Sequence, residues 1–197
     1  MPTPYPEPSQ RLDAWLARMR EEDKEFYQAL GQFMLGWADV ESTLGEVLRK
    51  YAKVSEPVAR ALFSGTRART MISFINAIAD NTRVSKARKD DLTFLFAKIA
   101  TLNTQRDRIA HYGSYRSPSL APNSLKRRVS NDKRSSRTTN SFVQFVGSEE
   151  LRYATGECLR LCEALKQHLT TGRFQRTYWP ERPRSSPVQR GKAKRAA

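Results

Sequence analysis

Three side chains near the middle of the chain have types and a spacing that could do chemistry: Arg106, Asp107 and His111. A histidine has an ordinary pKa near neutrality and can take up and return a proton without a metal. A guanidinium presents a fixed fork of donors that matches two oxygens of a phosphate or carboxylate. Asp107 and His111 are four residues apart, so on a helix they share a face and could hydrogen-bond through the imidazole, with Arg106 one residue away. Together they suit proton abstraction beside a bound anion.

The element that must carry them opens at Ser85 and runs to about Tyr112, with Gly113 as its stop. Its apolar face reads Leu92, Phe96, Ile99 and Leu102, then Arg106, then Ile109, so an arginine occupies a core position. The longest apolar stripe in the chain, Phe26, Leu30, Phe33, Trp37, Leu44, Leu48 and Tyr51, predicts a helix from Lys24 to about Ala52. Glu41 falls on that stripe between Trp37 and Leu44. A lone buried charge costs several kcal/mol, so opposite charges on two apolar stripes of one small bundle should meet, which predicts a Glu41–Arg106 pair. Taken alone, such a pair equally describes an internal ion pair that fixes helix register. The crowding of a guanidinium, a carboxylate and an imidazole into the last turn and a half of a helix points beyond that role.

The remaining elements frame these two. Leu12, Trp15, Leu16 and Met19 predict a short helix over 11–22 capped by Ser9. Ser55 and Pro57 open another that ends at Gly65. A further helix begins near Thr66, with Met71, Phe74, Ile75 and Ile78 as its buried face and Asp80-Asn81 as its end. Ser148, with Glu149 and Glu150 behind it, starts a last helix through Leu151, Ala154, Cys158, Leu161, Cys162 and Leu165 to about Leu169. The β-branched and aromatic run 141–146 predicts a strand, paired with 125–130 as a marginal hairpin. The fold class is therefore all-α: a bundle of four to five main helices with a long basic insert and that short hairpin before the last helix. Residues 1–9 form an extended Pro-rich arm, 10–171 the helical domain with 113–140 as insert, and 172–197 a basic, largely disordered tail.

The net charge of +15 is concentrated in two places. Residues 113–140 carry Arg116, Lys126, Arg127, Arg128, Lys133, Arg134 and Arg137 against Asp132 alone, and residues 172–197 carry eight basic residues against Glu181. Two basic segments on a nearly neutral body are what a phosphate backbone attracts through counterion release. Neither has an amphipathic apolar face, which argues against a membrane surface, and no run is long enough to span one. The opening MPTPYPEPSQ lacks the basic start and apolar stretch of a secretory signal, so a cytoplasmic location is expected, with Cys158 and Cys162 reduced in the core. With His111 and His168 the only histidines, no metal site is expected, nor any cofactor. His168, near the end of the last helix, reads as a partner of the helix dipole, and Tyr112 and Tyr115 as packing at the solvent edge.

Arg106-Asp107-Arg108-Ile109-Ala110-His111 is similar to the motif of HEPN domains, in which an arginine followed by a polar residue precedes a histidine by a few positions. The resemblance covers about residues 24–171: a helix bearing Trp37, Glu41 and Leu44, a helix ending in the motif with a glycine after it, and a closing helix. It implies metal-independent RNA cleavage of the toxin or phage-defence kind. His111 would be general base on a ribose 2′-hydroxyl, Arg106 would hold the scissile phosphate, Asp107 would orient His111, and the products would carry a 2′,3′-cyclic phosphate and a 5′-hydroxyl. It also implies a homodimer with motif helices at the interface, Glu41 as an anchor for Arg106, and an antitoxin or regulatory partner. Arg108, Arg116, Lys126, Arg127 and Arg128 would contact the RNA backbone. A protein of the same fold that binds RNA or a nucleotide without cutting it is the alternative.

Overall fold

The computed structural model describes residues 13, 21–112, 127–130, 143–174 and 179. The Pro-rich arm, nearly all of the expected first helix, most of the basic insert and the tail beyond 179 lie outside the described residues. What is described is an all-α bundle of five helices: α1 (Glu21–Ala52), α2 (Glu56–Phe63), α3 (Ala68–Asn81), α4 (Lys86–Tyr112) and α5 (Ser148–Thr171). None of the described helices is long and apolar enough to cross a membrane.

α1 forms because its apolar residues recur every three to four positions, burying Phe26, Ala29, Phe33, Trp37, Val40, Leu44, Val47 and Leu48 in one seam. Its main partner is α5, and the contacts fix their direction. Glu25 meets Arg152, Gly36 faces Cys158, and Tyr51 meets His168, so the two helices run parallel. Gly36 permits the close approach, since a Cβ there would sit 3.2 Å from Cys158 Cβ. α4 runs antiparallel to both: its start lies at Gly172 and its end beside Glu41. Its Leu92, Leu95, Phe96, Ile99, Leu102 and Ile109 complete the core, each such side chain contributing about 1.5–3 kcal/mol on burial.

α2 is a short amphipathic helix of about two turns after Ser55, with Pro57 where a missing N–H costs nothing. Gly65 (φ 75°) takes the left-handed turn into α3. α3 buries Ala68, Met71, Ile75 and Ala79 against α1, whereas Phe74, expected inside, is 44% exposed and rests on Phe63. The buried stripe is therefore turned toward the small residues Ala68 and Ala79, which let α3 lie close. Lys89–Asp80 ties the end of α3 to the start of α4.

Two four-residue strands, β1 (Arg127–Ser130) and β2 (Val143–Val146), pair antiparallel with Arg127 opposite Val146. Residues 131–142, which link them, lie outside the described residues. α5 starts one residue earlier in its cap than expected: Gly147 holds the cap position and donates its N–H to Glu150 Oε2 at 3.0 Å, while Ser148 is buried beneath Glu25. At the other end Gly172 (φ 76°) closes α5 by donating to the His168 carbonyl at 2.9 Å. The folded body continues past 171. Arg173 Nε donates to the buried Asp91 carboxylate at 3.0 Å, Phe174 is buried against Phe94, and Trp179 Nε1 donates to Glu157 Oε2 at 2.8 Å.

Candidate functional site

The last two turns of α4 bring Arg106 to the junction of α1 and the first residue of α3. Its position on the wheel points it inward, and its side chain is only 18% exposed. Three groups make that burial tolerable. Arg106 Nη1 donates to Asp107 Oδ1 at 2.7 Å, Nη2 donates to Glu41 Oε1 at 3.4 Å, and the guanidinium lies 5.5 Å from the centre of the Trp37 ring. Arg106 Nε is buried without a hydrogen-bond partner among the described residues.

Glu41 does two jobs with one oxygen. Oε1 accepts from Arg106 and also from the backbone N–H of Ala68 at 3.4 Å, so the carboxylate sits at the positive end of α3. Asp107 is equally committed: Oδ1 takes Arg106 and Oδ2 takes Asn103 Nδ2 at 3.1 Å. A continuous polar chain thus runs Asn103, Asp107, Arg106, Glu41, α3. The expected Asp107–His111 hydrogen bond does not form among the described residues. Asp107 instead accepts from Asn103 and makes a charge-assisted bond to the neighbouring guanidinium. His111 stands exposed in the last turn of α4. On ideal helical geometry it is displaced from Arg106 by about 140° and about 7.5 Å along the axis, so the two side chains leave the helix in different directions.

Arg108 is partly buried beside this cluster. Arg127 and Arg128 have their backbone in β1, opposite Val146 and Phe145, and Arg116 and Lys126 lie outside the described residues, as does Tyr115. Asn103 escaped the sequence reading although its signal was present, four residues before Asp107 on the same face. The capping of α3 by Glu41 had no such signal, since it depends on how the α2–α3 junction folds against α1.

A second buried polar cluster sits at the other end of α4, about 27 Å along its axis from Arg106. His168, expected as a partner of the helix dipole near the end of the last helix, is fully buried. Its Nε2 shares a 2.9 Å hydrogen bond with Tyr51 Oη, the rings stack at 6.3 Å, and Nδ1 has no hydrogen-bond partner among the described residues. Burial lowers its pKa below 6.5, and Arg88 lowers it further, against a smaller opposing effect of Asp91. The Arg88 guanidinium fills the space in which a side chain at Gly172 would stand. This cluster fastens the end of α5 and offers no exposed nucleophile or base. Burial likewise pushes the Cys158 thiol up to about 12 and raises that of Cys162, so neither supplies thiolate near neutrality. Among the described residues no group of three His, Cys, Asp or Glu is arranged to hold a metal ion.

Comparison of the chain with models of protein families, with curated proteins and with solved structures finds no match to any of them.

Proposed function

We propose that the chain is a HEPN-like, metal-independent endoribonuclease acting through Arg106 and His111. The observation that carries this reading is the fixation of Arg106 by Glu41, Asp107 and Trp37 at the end of the helix whose last turn presents an exposed His111. A guanidinium held on three sides loses little freedom when it meets a phosphate, which is what transition-state stabilisation by a preorganised charge requires.

In the proposed reaction His111 removes the proton of a ribose 2′-hydroxyl. The 2′-oxygen attacks the adjacent phosphorus, and the bond from phosphorus to the 5′-oxygen breaks. The leaving oxygen takes up a proton, giving a 2′,3′-cyclic phosphate on one product and a 5′-hydroxyl on the other. Arg106 balances the negative charge that grows on the phosphate oxygens. The divergence of Arg106 and His111 around α4 supports a site completed by a second copy, with motif helices facing across a two-fold axis. Asp107 positions Arg106 in this scheme and does not orient His111.

A non-catalytic RNA- or nucleotide-binding protein of the same fold is the second reading, and one observation favours it: both terminal nitrogens of Arg106 already face carboxylates. Incubating end-labelled RNA with the full chain in excess EDTA separates the two. The nuclease reading expects cleavage that is lost in His111→Ala and in Arg106→Ala, both remaining folded by circular dichroism. The binding reading expects RNA to be retained intact, with affinity unaltered in His111→Ala.

A further inference from the structure

Glu41 and Asp107 hold Arg106 but also outweigh it, since two carboxylates against one guanidinium leave that trio with a net charge of −1. A polyanion approaching this end needs cations that are not already spent. Several arginines of the bundle are committed to carboxylates: Arg60 to Glu56, Arg152 to Glu25, Arg160 to Glu157 and Arg173 to Asp91. Arg67 and Arg69 stand differently.

We infer that Arg67 and Arg69, at the junction of α2 and α3, form a phosphate-binding subsite beside Arg106, taking the RNA backbone next to the phosphate that Arg106 would hold. The placement is set by Ala68. Its N–H donates to the same Glu41 oxygen that Arg106 contacts, and its side chain is 1% exposed, wedged into the core. With residue 68 turned inward, its neighbours on either side are turned outward, and both Arg67 and Arg69 are exposed. Two guanidiniums are thereby tethered within one residue of the backbone group that shares Glu41 with Arg106. The first turn of α3 carries no acidic residue to cancel them. Contacts of this kind meet phosphate and not base edges, so the subsite adds affinity without sequence preference. It rests on the reading that this end of the molecule meets RNA, but it does not require that the RNA be cut.

The test is the salt dependence of binding. A fluorescein-labelled single-stranded RNA is titrated with the full chain carrying His111→Ala, which removes the proposed base, and with the same chain also carrying Arg67→Gln and Arg69→Gln. A third protein carries Arg83→Gln and Lys86→Gln instead, removing two exposed charges at the far end of α3. Each lost phosphate contact to a single strand lowers the slope of log K against log salt by about 0.7, so the Arg67/Arg69 pair should lower it by about 1.4 and weaken binding about tenfold at moderate salt. The Arg83/Lys86 pair should leave most of the slope in place. An unchanged slope in the Arg67/Arg69 variant, an equal fall in both variants, or no binding of RNA by the parent protein would overturn the inference. A chain that binds with the expected slope difference but leaves RNA uncut in its His111 form keeps the subsite and loses the nuclease reading. One that cuts RNA but shows no slope difference does the reverse.

Discussion

Arg106 is a charge in a core position, and its energetics turn on Glu41. Both side chains keep partial access to solvent, so the pair is weaker than a dry one, and Glu41→Ala should cost about 1–2 kcal/mol, discounted for that exposure. Part of that cost is the lost cap on α3. A double-mutant cycle with Arg106→Met, read by urea unfolding, isolates the pair: Glu41→Ala should cost less once the guanidinium is gone, and equal costs in the two backgrounds would mean that Glu41 acts only on α3. His168 gives a residue-scale prediction of opposite kind. Its folded-state pKa lies below the unfolded value of 6.5, so between those two values the unfolded chain binds a proton that the native one refuses. Stability from neutral His168 is present in full above pH 6.5 and drains away as pH falls below it, by up to about 1.4 kcal/mol per pH unit. His168→Phe, which keeps a ring against Tyr51, removes this component. The stability gap between wild type and variant should narrow from pH 7.5 to pH 5.5, and a gap independent of pH would contradict the assignment.

Among elements, helix ends decide more than helix middles. Gly172 combines a left-handed backbone with the Arg88 guanidinium 2.8–2.9 Å from where a Cβ would be. Gly172→Ala should therefore cost about 1–3 kcal/mol in chemical unfolding, against a change near zero for Gly31→Ala or better, because Gly31 faces open space in the middle of α1. Helix spans were legible because apolar residues at every third and fourth position leave few alternatives, and α1 and α4 lie close to where their stripes predict. The Glu41–Arg106 pair was legible for the same reason: each charge interrupts such a stripe. Phe74 was not, because Ala68 and Ala79 can line a close contact as well as larger residues can, and periodicity alone does not choose between adjacent faces. The Tyr51–His168 bond joins residues 117 apart, and nothing local to either one names the other. Asp107 had two sequence-compatible partners, and only the folded geometry shows that Arg106 takes it from His111.

At the scale of the molecule, the parallel run of α1 and α5 is the feature that periodicity could least disclose, since a stripe specifies a face and not a direction. It obliges the chain to turn back between them, which α4 does by running antiparallel to both, and that return places the end of α4 beside the start of α3 at Glu41. The segment after α5 locks the arrangement at the opposite end. Phe174→Ala should cost about 3 kcal/mol by emptying the contact with Phe94. Little loss in thermal or urea unfolding would mean that the segment merely rests on α4. Such a bundle fixes Arg106 between Glu41 and Asp107 near the end of α4 while leaving His111 exposed. The proposed cleavage is tested most directly by the 3′ end of the product left by the purified full chain on RNA in EDTA. The proposed reaction leaves a 2′,3′-cyclic phosphate that disappears with His111→Ala. A 3′-hydroxyl end, cleavage that stops on chelation, or the same product from His111→Ala would contradict it.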